Sequence, residues 1–99
     1  MRPIHLAHLD KRRPVLVLTR ELVRPHLSRV TVAPITSTVR GLSTEVPVGA
    51  ANGLDKPSAI SCDNIATIPT ESLGRHLGYL FPAQEPELTA AIRNAFDLD

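Results

Sequence analysis

Two short polar clusters carry the residue types from which a phosphate grip is built. Lys11-Arg12-Arg13 is a run of three cations directly before an aliphatic stretch, and Thr36-Ser37-Thr38 is a run of three hydroxyls that closes another. A guanidinium presents a planar fork of donors that matches two phosphate oxygens, and a hydroxyl donates to a further one. Brought to one rim, the two clusters make an anion site; kept apart, they are polar strand ends with capping hydroxyls. Other chemistries lack their residues. There is no glycine-rich phosphate loop, no dinucleotide fingerprint and no Gly-x-Ser-x-Gly elbow. Cys62 is the only cysteine, which leaves no internal disulfide and no cysteine-based zinc site. Its setting in Ala59-Ile60-Ser61-Cys62 reads as a buried, inert thiol. His5 and His8, three apart on a strand, point to opposite faces and make a poor metal pair. His26 and His76 stand alone in polar surroundings, and Asp63 reads as structural.

The elements that must hold these clusters are short. Nine prolines and scattered glycines cut the chain into pieces that suit strands better than long helices. Residues 4–9 read as a first strand. Residues 14–19, Pro-Val-Leu-Val-Leu-Thr, read as a strand buried on both faces, with Pro14 as its first residue. That reading leaves Lys11-Arg12-Arg13 in the turn before it. Residues 20–28, broken by Pro25, form a connection with one helical turn. Residues 29–36 form a third strand, in which Pro34 marks an edge or a bulge.

A loop around Gly41 leads to strands over 44–48, 58–62 and 65–68, with turn chemistry at Asn52-Gly53 and Lys56-Pro57. Thr70-Glu71-Ser72-Leu73 reads as a helical turn capped by the Thr70 hydroxyl, Gly78 as the end of that region, and 79–81 as a last short strand. From Glu85 the apolar residues Leu88, Ala91, Ile92, Ala95 and Phe96 take helical spacing, which gives a C-terminal helix of about 12 residues. The fold class is therefore mainly β (α+β): five to seven short strands and a terminal helix, best closed as a small SH3-like β-barrel, with an open α+β sheet as the second reading.

Composition bounds what this fold can be. Ninety-nine residues, 42% of them hydrophobic, make one domain over 1–99 with one real core. Net charge is only +1, but it is unevenly spread. Residues 1–40 hold Arg2, Lys11, Arg12, Arg13, Arg20, Arg24, Arg29 and Arg40 against Asp10 and Glu21, so a local anion-attracting face is available. Aromatic residues are 3%, too few for base stacking to dominate any single-strand binding. No apolar run approaches the roughly 20 residues of a membrane span, and the start lacks a signal-peptide core. The expectation is a cytoplasmic protein with no membrane partner.

Lys-Arg-Arg-Pro-Val-Leu-Val-Leu-Thr at 11–19, followed by Val-Ala-Pro-Ile-Thr-Ser-Thr at 32–38, resembles the MazF/PemK family of toxin endoribonucleases. Two later pieces agree in order and spacing. Residues 58–68, Ser-Ala-Ile-Ser-Cys-Asp-Asn-Ile-Ala-Thr-Ile, are similar to the family's strand, acidic residue and short Thr-Ile strand. Residues 73–78, Leu-Gly-Arg-His-Leu-Gly, are similar to the turn and glycine that follow. The resemblance covers about residues 4–96.

It implies an SH3-like barrel acting as a homodimer that cuts single-stranded RNA at short sequences, with no metal and no other cofactor. It also implies an antitoxin whose acidic C-terminal segment, disordered until bound, blocks the RNA groove. Carried over by position, the catalytic arginine is Arg13 and the catalytic hydroxyl is Thr36. Lys11, Arg12, Ser37, Thr38 and Arg40 then become RNA-binding candidates, with Arg20, Arg24 and Arg29 as further phosphate contacts. In the implied reaction the ribose 2′-OH attacks the adjacent phosphate, leaving a 2′,3′-cyclic phosphate and a 5′-OH. Arg13 stabilises the charge that grows on the phosphate oxygens, and Thr36 bonds the phosphate or orients the 2′-OH. The loop before Arg13 is shorter than in many family members and lacks their glutamate; Asp10, His5 and His8 stand open as the proton acceptor. Two other readings share the fold: a barrel toxin that inhibits DNA gyrase, and a degenerate, non-catalytic binding module.

Overall fold

A computed structural model describes residues 1–99. It contains seven strands and one α-helix: β1 (Arg2–His8), β2 (Arg12–Val17), β3 (Arg29–Thr36), β4 (Glu45–Val48), β5 (Ser58–Ser61), β6 (Ala66–Pro69), β7 (Leu73–Leu80) and α1 (Glu85–Phe96). All pairings are antiparallel, in the order β4-β5-β3-β2-β1-β7, with β6 added against the first half of β3. The sheet curls into the expected SH3-like form as a half-barrel, open between β4 and β7.

The β2 run Val15-Leu16-Val17 is buried on both faces, as its unbroken aliphatic character requires. Leu16 joins Ile4, Ala33, Ile35, Ile60 and Leu80 in a cluster that α1 closes with Leu88 and Ala91. Val15 and Val17 face the other way, into a smaller cluster with Ala7, Val30, Val32 and Ile68. One strand thus serves two cores, because successive side chains alternate across the pleat. In α1, Ile92 and Ala95 complete the packed stripe. Phe96, expected on that stripe, is exposed, because the helix stops at Asp97, a residue in the left-handed region with φ 55°. The helix start is tied to β1 by an Arg2–Glu85 ion pair, Nε to Oε2 2.9 Å.

Four local expectations need correction. Pro34 does not mark an edge: β3 is central, pairing through Arg29–Val32 with β6 and through Ile35–Thr36 with β5. Ala33 and Pro34 fall in the changeover, where no ladder N–H is required on that side. Pro14 is the third residue of β2, so Arg12 and Arg13 belong to the strand and pair with His8 and Ala7 of β1. Residues 73–80, read as a turn and a short strand, form the eight-residue β7. Its exposed, glycine-punctuated sequence hides the strand pattern, and pairing with β1 supplies the order. The Thr70 hydroxyl caps nothing; it donates to the Leu27 carbonyl at 3.0 Å, pinning the turn before β7 to the segment before β3.

Candidate active site

The site begins where β2 and β3 part. Their ladder runs Val17↔Val32, Leu16↔Ala33, Val15↔Pro34 and ends there. Pro14 lacks the N–H that would extend it. Continued by two residues, the same register sets Arg13 across from Thr36, at the mouth of the opening between the strands. Both side chains line a groove of about 520 Å³, together with Lys11, Arg12, Ser37 and Thr38. The two polar clusters therefore do converge. Arg40 lies just outside, in an adjoining concavity of about 410 Å³ that shares Arg13, Thr36 and Thr38 with the groove. The loop carrying Arg40 is held by Glu45, whose Oε1 accepts the N–H of Arg40 at 3.2 Å and of Leu42 at 3.0 Å.

Arg13 is the anchored cation. Its side chain is 26% exposed, and its Nη2 lies 3.7 Å from Oδ1 of the largely exposed Asp10, a weak pairing in solvent. Its Nε is buried with no protein hydrogen-bond partner, as is that of Arg24. Thr36 is pre-set as a donor. Its Oγ1 accepts the N–H of Thr38 at 3.0 Å, which leaves the hydroxyl proton free to donate. Lys11, Arg12 and Arg40 take part in none of the molecule's three ion pairs and keep their charge available.

The opposite wall brings residues that the sequence did not single out: Gly53, Leu54, Asp55, Lys56, Ser58, Arg75 and Leu77. Lys56 reads as ordinary turn chemistry beside Pro57. Arg75 and Leu77 reach the groove through irregular pairing. Between Ile4↔Gly78 and His5↔His76 the β7 strand has an extra residue, Leu77, and between His5↔His76 and Ala7↔Leu73 it again has one more than β1. Such bulges bend a strand and re-aim its side chains. No periodicity argument finds them.

The remaining candidates fall elsewhere. Arg20 and Arg24 line a separate concavity of about 280 Å³ with Arg2, Glu21 and Glu85, and Arg29 lines neither region. Asp63 accepts from the Thr44 hydroxyl at 2.6 Å. Burial, reinforced by the Asp63 charge, pushes the Cys62 thiol up to about 11 and keeps it protonated. Of the open proton acceptors, His5 points Nδ1 at the Gly74 carbonyl, 3.0 Å away, and its ring lies tilted at 56° against that of His76. His8, the exposed last residue of β1, pairs with Arg12, and Asp10 lies beside Arg13. No group of three or more His, Cys, Asp or Glu side chains is placed to hold a metal ion. No helix is long and apolar enough to cross a membrane.

Known proteins share this arrangement. Residues 3–96 match the family model described as PemK-like, MazF-like toxin of type II toxin-antitoxin system. Over 99 residues the chain is 71% identical to Endoribonuclease MazF3 of Mycobacterium tuberculosis, covering all of this chain and 96% of that one. It superposes on the structure of Mycobacterium tuberculosis toxin MazF-mt6 with a TM-score of 0.97 at 70% identity, covering 99% of each chain. A mycobacterial endoribonuclease solved in complex with its cognate antitoxin matches with a TM-score of 0.86 at 26% identity, over 98% of this chain and 93% of that one. With the family model, the full-length relative and the superposed fold in agreement, the chain belongs to the PemK/MazF-like toxins of type II toxin–antitoxin systems.

Proposed function

We propose that this chain, as one domain over 1–99 acting as a cytoplasmic homodimer, is a toxin endoribonuclease that cuts single-stranded RNA in the Arg13–Thr36 groove. The observation that carries the reading is that Arg13 and Thr36 line one groove where the β2–β3 ladder ends at Val15↔Pro34. A phosphate seated between them meets a guanidinium fork on one side and a hydroxyl donor on the other. Attack of the 2′-OH on phosphorus forms the cyclic phosphate, and the 5′-oxygen leaves with a proton. Charge that develops on the non-bridging oxygens is met by Arg13. Arginine stays protonated and does not take the 2′-OH proton; Asp10, whose Oδ1 lies 3.7 Å from the Arg13 guanidinium, is the acceptor this reading assigns. Lys11, Arg12, Ser37 and Thr38 hold the flanking backbone, Arg40 extends the track, and the 2′-OH requirement restricts the reaction to RNA. The same cationic groove suits the acidic tail of an antitoxin, which would exclude RNA by occupying it.

Incubation of the purified protein with a long single-stranded RNA in EDTA tests the reading. Discrete fragments ending in 2′,3′-cyclic phosphate and 5′-OH are expected, and Arg13→Ala should slow their appearance by two to three orders of magnitude, on the order of losing one transition-state donor. Intact RNA with the unmutated chain overturns it, and gyrase inhibition in its place would favour the other barrel-toxin activity.

A further inference from the structure

Phosphate binding leaves one groove residue without a role. Asp55 is the only acidic side chain in a lining that includes Lys11, Arg12, Arg13, Lys56 and Arg75. A carboxylate there opposes the RNA backbone that the cations attract. It does not serve to neutralise them either, because the molecule's ion pairs are Arg2–Glu85, Arg13–Asp10 and Arg24–Glu21. Yet the segment that carries it is firmly anchored at both ends. On one side Asn52 is buried, its amide donating to the Tyr79 carbonyl and to Gln84 Oε1, each at 2.8 Å, while its Oδ1 accepts the Gly49 N–H at 3.1 Å. On the other, the Ser58 hydroxyl donates to the Lys56 carbonyl at 2.9 Å. Between them Leu54 is buried in the main core.

We propose that Asp55 is a specificity-determining residue, accepting a hydrogen bond from the exocyclic amino group of a base beside the scissile phosphate and selecting against uracil there. This rests on the groove being the RNA-cleavage site. An ionised carboxylate can only accept. Cytosine, adenine and guanine each offer an amino donor, whereas uracil flanks its single N–H with two carbonyl oxygens that a carboxylate repels. In single-stranded RNA those edges are free to be read. The division of labour follows the general one: the wall with Arg13 and Thr36 grips phosphate and sets position, and the opposite wall reads a base.

The test compares the unmutated protein with Asp55→Asn on RNAs randomised around the cleavage site. The unmutated protein should disfavour uracil at one position by about ten-fold. The amide introduced by Asp55→Asn can turn a donor toward the uracil O4, so the variant should bring uracil to within about three-fold of the preferred base, with other positions unchanged. Substrates carrying 2-pyrimidinone, purine or inosine at that position remove only the amino group of cytosine, adenine or guanine. The one that loses cleavage with the unmutated protein, and not with Asp55→Asn, identifies the base. Identical profiles for the two proteins, or an equal change at every position, overturn the inference and leave the cleavage reading standing. RNA left intact by the unmutated chain overturns both.

Discussion

At Arg13, what matters is fork geometry as well as charge. Arg13→Lys keeps a cation and loses the bidentate match to phosphate, so it should recover only part of the cleavage rate that Arg13→Ala loses. Thr36→Ser should keep most activity because the hydroxyl survives, and Thr36→Ala should lose it; rates of fragment formation with unchanged thermal midpoints check both. Cys62 makes a separate prediction. Its thiol ionises near 9.0 when unperturbed and about 11 when folded, so the unfolded chain releases that proton first as pH rises. The stabilising contribution is complete below pH 9.0 and is lost between there and about 11, which alkaline denaturation of the protein and of a Cys62→Ala variant would show as a difference confined to that window. Below it, the native thiol should resist alkylation. The aliphatic runs beside Arg13 and Thr36 make the strand ends legible in the sequence, whereas the choice of these two residues comes from the family resemblance. Lys56 and Arg75 are not legible, since a turn residue and a bulge residue carry no periodic signature.

Among the elements, the strands with aliphatic alternation announce themselves: β3 reads with its observed bounds, and β2, β4, β5 and β6 within two residues at each end. β7 does not, because half its residues are exposed and its order comes from β1 and from a contact far away in sequence. That contact is between two glycines. Gly53 has φ 88°, and a Cβ there would lie 2.1 Å from the Leu77 carbonyl oxygen; a Cβ on Gly78 would lie 2.1 Å from that of Asn52. Backbone therefore meets backbone with no room for a methyl group. Gly53→Ala should destabilise by more than the roughly 1–2 kcal/mol of left-handed strain alone. Gly41→Ala should cost about that strain and no more, because Gly41 has φ 73° with open space around it. Denaturant midpoints for the pair separate conformational strain from collision.

Taken whole, the molecule is nearly neutral while its groove is strongly cationic. RNA binding should therefore be far more salt-sensitive than a net charge of +1 suggests. If Lys11, Arg12, Arg13, Lys56 and Arg75 each neutralise one phosphate, log affinity should fall against log salt with a slope of roughly −3.5, and Lys56→Ala or Arg75→Ala should each reduce that slope by about 0.7. Away from the groove, Leu88 fixes α1 over the main core, and Leu88→Ala should lower stability by about 2–5 kcal/mol without changing cleavage specificity. The meeting of Gly53 with Gly78 also has a meaning in time. The wall proposed to grip phosphate is encoded by residue 38, but the facing wall is braced only when β7 arrives, far later in synthesis. A chain still emerging from the ribosome carries half a groove. On the proposed reading, its capacity to cut would come into being only when the strand that completes the far wall closes against a turn made well before it.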